Sequence, residues 1–293
     1  MDRIPRPAPW LGLLLGLVLL TGVAALIAQF SGAGGSDEVV TRTATTPRLS
    51  PAEAKAVARR RAMAQIALWK QPIYRGNDTS SLVALSFDDG PAPATMKTLA
   101  ALNRLKLHAT FFVIGRQIAG NEHELRAIVK HGNEIAVHTW DHPDLTTLTN
   151  AQIRSQLIDT RDAIRKGVGV DPSLYRPPYG SINDRVVDAI ASARMVPVLW
   201  DADGDDWVAG ISAAEIARRV LAAVRPGSII LLHDGGGPRT QTVKAIPLVV
   251  KGLKKRGLKP VMVSELLEQD PPARNGVPTR TVDPGADQVA PAG

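Results

Sequence analysis

Seven short apolar runs, rich in β-branched and aromatic residues, recur along the middle of the chain. They lie at 82–87, 109–114, 134–138, 173–176, 195–200, 228–232 and 259–263, and each has the length of a buried strand. Helix-like patterns fill the gaps. Two of these open with capping boxes, Thr149 with Gln152 and Ser212 with Glu215, in which side chains satisfy the first free N–H groups of a helix. A third, 240–256, closes on Lys254, Lys255 and Arg256 before Gly257, a helix C-terminus signature. Strands alternating with helices predict an α/β fold with a parallel sheet. The pattern leaves a closed barrel and an open doubly wound sheet as alternatives, although a domain of about 190 residues is short for an eight-fold barrel.

The flanks read differently. Between Arg6 and Asp37 the chain is uncharged, and it is apolar from Trp10 to Phe30. That run is long enough for a bilayer-spanning helix. Positive residues before it and acidic residues after it place the N-terminus inside and the remainder outside. Its length favours an uncleaved anchor over a signal peptide cut near Ser31-Gly32-Ala33. The expected organisation is a cytoplasmic stub at 1–8, a transmembrane anchor at 9–30 and a flexible spacer at 31–50. A helical stalk at 51–79 comes next, starting at the box Ser50-Pro51-Ala52-Glu53 and carrying Arg59-Arg60-Arg61, then the main folded body at 80–270 and a disordered tail at 271–293. The expected location is the cytoplasmic membrane, with the body on the extracytoplasmic side.

Charge and composition narrow the function. Of the net +7, residues 1–81 contribute ten basic against five acidic side chains, whereas 82–270 carry 23 against 21. The folded part is nearly neutral and aromatic content is 4%, so a nucleic-acid surface is not expected. There is no cysteine, so any metal is held by His and carboxylates.

The informative coincidence lies at the C-terminal ends of the apolar runs. The first ends in Asp88-Asp89-Gly90-Pro91 and the third in His138-Thr139-Trp140-Asp141-His142. The fourth ends in Arg176-Pro177-Pro178-Tyr179-Gly180, the fifth in the acidic stretch Asp201 to Asp206 before Trp207, and the sixth in His233-Asp234. In parallel α/β folds these ends share one face, where sites are built. His138 and His142 with an aspartate suit a two-His, one-carboxylate site for Zn²⁺ or a similar ion. The other acid of the Asp88-Asp89 pair remains as a base, Arg176 can hold that base ionised, and His233, oriented by a carboxylate from 201–206, suits general-acid work.

These five segments in this order make the chain resemble the polysaccharide deacetylases, also called the NodB-homology family or carbohydrate esterase family 4, over roughly residues 80–268. The resemblance implies a distorted (β/α) barrel of about seven parallel strands. It implies Asp88 as general base, tethered by Arg176; Asp89, His138 and His142 as metal ligands; and His233 as general acid, oriented by Asp206. The Tyr179 N–H is placed at the oxyanion, and Trp207 and Leu231 around the acetyl methyl. The implied cofactor is a divalent metal, Zn²⁺ first, with Co²⁺, Ni²⁺ or Mn²⁺ as alternatives. The implied function is removal of N-acetyl groups from N-acetylglucosamine-containing envelope polysaccharide, peptidoglycan or exopolysaccharide. An O-acetyl polysaccharide esterase and a non-catalytic glycan-binding barrel are the alternatives. Two departures stand out: Ser86 where the first motif often has Thr, and Val208-Ala209-Gly210 after Trp207, with no Arg.

Overall fold

A computed structural model of the protein describes residues 49–274. The expected anchor at 9–30, nearly all of the spacer and the tail beyond Arg274 lie outside these residues. Among those described, no helix is long and apolar enough to cross a membrane.

All seven apolar runs form strands, and an eighth strand lies inside the acidic stretch. In chain order the elements are α1 (Pro51–Ala67), β1 (Leu82–Asp88), α2 (Pro93–Leu105), β2 (Thr110–Val113), α3 (Glu122–Lys130) and β3 (Glu134–Val137). Then come α4 (Asn150–Val168), β4 (Leu174–Tyr175), α5 (Asp184–Ser192), β5 (Val196–Pro197) and β6 (Ala202–Asp203). The last are α6 (Ala213–Ala223), β7 (Ile229–His233), α7 (Thr240–Lys255), β8 (Lys259–Val261) and α8 (Val263–Gln269). The sheet is parallel, in the order β5-β4-β3-β2-β1-β7-β6, and β8 pairs with the first half of β1. It is a curled half-barrel rather than a closed one: β5 and β6 are the two ends of the path. Part of the opening is occupied by the segment before β1, where Ile73 bridges to Val198 and Arg75 to Ser228.

Strand periodicity sorts the residues of β1. Val83, Leu85 and Phe87 join the outer core beneath the helices, and Phe87 stacks on Phe111 at 5.3 Å. Ala84 faces the inner core, among Phe112, Ala136, Val198 and Leu231. Alternation then puts Ser86 and Asp88 on that inner side. Burying each large apolar side chain contributes ~1.5–3 kcal/mol.

The helix expected as a stalk is part of this body. Its capping box forms as expected, and Met63, Ile66 and Ala67 are buried in the inner core with Val263 and Leu266 of α8. Arg59 pairs with Glu265 and Glu268, at 3.7 and 3.2 Å. The Thr149 box also forms, whereas Ser212 caps α6 without reciprocation, because Glu215 turns to Arg218 and Arg219 instead.

Candidate active site

Register delivers the site. Asp88 closes β1 opposite Phe112 of β2 and His233 of β7. Its Oδ1 accepts from Arg176 Nη1 at 2.7 Å, and both residues are buried. Arg176 has its other donors engaged by Ser86 Oγ (2.9 Å) and the carbonyls of Val198 and Leu199, and its guanidinium lies 4.0 Å over the Phe112 ring. Burial raises the Asp88 pKa above the ordinary carboxylate range, and Arg176 opposes that. Ser86 fits without strain: its hydroxyl donates to Ile230 O at 2.7 Å and accepts from Arg176.

Beside Asp88 lies a second constellation. Ligand-type atoms of Asp89, His138 and His142 all fall within 4.8 Å of one another. His138 Nδ1 donates to the Arg176 carbonyl at 2.7 Å, which turns Nε2 toward Asp89 Oδ1, 3.6 Å away. His142 Nε2 stands 3.4 Å from the same oxygen. Burial, then His142, depresses the His138 pKa to about 3, leaving a neutral imidazole. Asp89 Oδ1 is buried without a hydrogen-bond partner, and such an acceptor calls for a cation or a donor. Two imidazoles and a carboxylate converging on one point fit a divalent metal such as zinc.

Across the cavity His233 Nδ1 meets Asp206 Oδ1 at 2.6 Å, and the His233 N–H donates to Asp206 Oδ2. Burial alone would lower the His233 pKa; Asp206, then Asp89 and Asp88, outweigh it and raise it to about 10. Asp206 is itself held below the ordinary value, its own burial being overcome by His233 and Thr242. The cavity of about 390 Å³ is lined by Asp88, Asp89, His138, His142 and His233 together with Tyr179, Trp207 and Leu231, all three expected from the sequence, and with Arg116, Gln117 and Arg239, which are not.

The acidic stretch is not a single cluster at one strand end. It runs along β7: Asp201 bonds Ser228 and the Ile229 N–H at the start of that strand, and Asp206 reaches His233 at its end. Asp203, in β6, accepts from Trp200 Nε1 at 3.1 Å and is pushed by burial up to about 6. Strand periodicity cannot show this, because β6 is two residues long. No Arg comes shortly after Trp207, but Arg239 reaches the Asp206 carbonyl at 3.3 Å from the loop after β7. Tyr179 carries a further part: its ring packs edge-on against His142 at 4.8 Å and its hydroxyl lies 3.1 Å from His142 Nδ1. Thr242, which donates to Asp206 Oδ2 at 2.6 Å, has no sequence signal beyond its place at the start of a helix. Asp89, Thr139, His142 and Tyr179 all have φ between 59° and 73°. Backbone strain of this kind gathers at functional sites.

Fold and site together define the class: a parallel α/β body whose strand ends carry an Asp–Arg pair and a His–Asp pair beside an Asp/His/His constellation. Comparison with known proteins gives the family. A sequence profile described as polysaccharide deacetylase matches residues 75–198. A peptidoglycan-N-acetylglucosamine deacetylase of Bacillus cereus is 36% identical over 68% of this chain and 92% of its own. A bifunctional xylanase/deacetylase of Pseudobutyrivibrio xylanivorans is 39% identical over 64% of this chain, which spans only 30% of that relative's length. The crystal structure of a Bacillus anthracis pseudoenzyme of carbohydrate esterase family 4 superposes with a TM-score of 0.64 at 29% identity, over 68% of this chain and 69% of the other. The chain belongs to the polysaccharide deacetylase family, a family of hydrolases.

Proposed function

We propose that this protein removes N-acetyl groups from N-acetylglucosamine units of cell-envelope polysaccharide, peptidoglycan or exopolysaccharide, and releases acetate. The observation that carries this reading is one cavity lined by both Asp88, held by Arg176, and His233, held by Asp206. The intact set supports catalysis over the glycan-binding, non-catalytic alternative.

Each chain residue has a part in the hydrolysis. Asp88, kept in place by Arg176, accepts the proton of the attacking water. His233, kept protonated by Asp206, gives a proton to the leaving amine, so the C–N bond breaks without expelling an amide anion. The Tyr179 N–H is the assigned backbone donor to the oxyanion. Trp207 and Leu231 enclose the acetyl methyl. Asp89, His138 and His142 would hold a divalent metal, Zn²⁺ first. When bound there, it supplies Lewis acidity toward the acyl oxygen and lowers the pKa of water. Asp88, His138 and Arg176 are tied together by hydrogen bonds and short contacts, so base and ligand set keep one geometry.

The test is acetate release from N-acetylglucosamine oligomers and peptidoglycan by the full-length chain, with and without chelator and with Asp88→Asn. Release abolished by both supports the reading, and release unaffected by either overturns it. Acetylxylan, assayed alongside, decides the O-acetyl alternative. The apolar run at 9–30 supports, as part of this proposal, attachment to the cytoplasmic membrane with the body outside, within reach of such polymers.

A further inference from the structure

A second cavity, roughly 800 Å³, runs between α4 and α5 on the flank of the barrel. Both helices come directly after strands of the same parallel sheet, so both descend from the face that carries the active site. The upper end of the groove therefore lies on the side of the sheet that carries the active-site cavity. At its upper end the loop bearing His142 continues into the turn Leu145–Thr147, and the carbonyls of Thr146 and Leu148 there accept hydrogen bonds from Arg185. From Asn150 to Arg161 it runs along α4 for about 16 Å at 1.5 Å per residue.

Its walls carry Arg154, Arg161, Arg185 and Arg194, and Leu157 and Ala189 are among its apolar lining. The only carboxylate in that lining, Asp188, is taken by Lys70 at 2.9 Å. Arg161 is engaged by Asp171 and by the Ala193 carbonyl. The side chains of Arg154 and Arg194, both exposed, have no hydrogen-bond or ion-pair partner among the described residues. The surrounding body is nearly neutral, with 23 basic and 21 acidic residues over 82–270. Four arginines thus line the groove against a single carboxylate, which is already paired. A groove with cationic walls and an apolar floor complements a chain that alternates carboxylates with the apolar faces of sugar rings.

We propose that this groove binds a carboxylate-bearing polysaccharide segment and holds it alongside the active site. The inference rests on the deacetylase reading only for the claim that the held polymer is also the substrate. Binding itself is independent of turnover. The test uses the full-length chain, a soluble uronate oligosaccharide and a neutral N-acetylglucosamine oligomer of equal length, with binding measured by titration calorimetry. The variant is Arg154→Ala with Arg194→Gly. Both side chains are exposed and partnerless, and Arg194 has φ of 59°, a conformation glycine accepts more readily.

The expected result is a Kd for the uronate chain weakened about tenfold in the double variant. Added salt should weaken wild-type binding. Acetate release from the short neutral oligomer should be unchanged in the double variant, and Asp88→Asn should bind the uronate chain as the wild type does. Equal affinity of wild type and double variant, or equal affinity for uronate and neutral chains, would overturn the proposal. So would arginine-dependent binding of polyphosphate tighter than that of the uronate chain. No acetate release by the wild type, with groove binding retained, would instead sink the deacetylase reading alone.

Discussion

The two charge pairs, Asp88 with Arg176 and His233 with Asp206, are built from the same materials and, in the proposed mechanism, do opposite work. Arg176 with Asp88 pairs a carboxylate with a cation that does not give up its proton. It fixes the proposed base in place, while burial raises that carboxyl's pKa. His233 with Asp206 pairs a carboxylate with a cation that can lose its proton, and the carboxylate stores that proton up to about pH 10. The difference between base and acid therefore lies in the partner and not in the carboxylate. Aspartate supplies the reacting group on one side and the support on the other.

The sharpest way to break the comparison is to remove the base. Asp88→Asn is expected to lose about 10²–10⁴-fold or more in kcat, with bound metal per chain unchanged by elemental analysis. Asp89→Ala should lose the metal as well, and loss of metal from both variants would refute the division of labour between the two acids. Next in size is Arg176→Met. It strands a buried carboxylate and should cost about 3–5 kcal/mol in urea unfolding, more than a change at His233 itself, whose side chain is partly exposed.

The acid side answers to pH. The folded pKa of His233, about 10, lies above its ordinary 6.5. The folded state therefore binds the proton more tightly, and the stabilisation is complete below pH 6.5 and lost as pH rises through 10. The difference in thermal midpoint between wild type and His233→Gln, measured in chelator, should shrink over that window. Asp206→Asn should move the alkaline limb of the rate profile to lower pH, because Asp206 is the largest influence that raises the His233 pKa. A limb that stays put would show that Asp206 does not set the acid. The smallest effect is expected from Thr242→Val, which deletes one hydrogen bond to Asp206 and should cost about 1 kcal/mol.

Much of this contrast is legible in the sequence, because each reacting residue stands at the end of a strong apolar run. Asp88, His138, Arg176 and His233 are strand-end residues, and period-2 burial of residues such as Val83, Leu85 and Phe87 sets which way they point. The parts that the residues alone do not reveal depend on long-range contact. Nothing local says that β6 exists, that Asp201 and Asp206 go to opposite ends of β7, or that Tyr179 backs His142. Arg239 supports Asp206 from 33 positions away, and no short window of sequence contains both. The helix after Ser50 reads as a stalk because its buried residues, Met63 and Ile66, are few and its partners lie in α8.

The seam between β5 and β6 has a consequence for how the protein is made. The residues that complete the body around it come from the two ends of the domain. Asp270 takes the side chains of Thr79 and Ser80, 191 and 190 residues earlier, and its carbonyl accepts from the Asn77 N–H. β1 likewise pairs with β7 and β8, strands that are synthesised long after it. Contacts of such sequence separation form slowly. During synthesis the first strand must therefore leave the ribosome with one edge unpaired, and it waits for nearly the whole domain before that edge is covered. An exposed strand edge is a template for wrong pairing. This domain is accordingly expected to be most vulnerable to aggregation as a nascent chain ending short of Asp270.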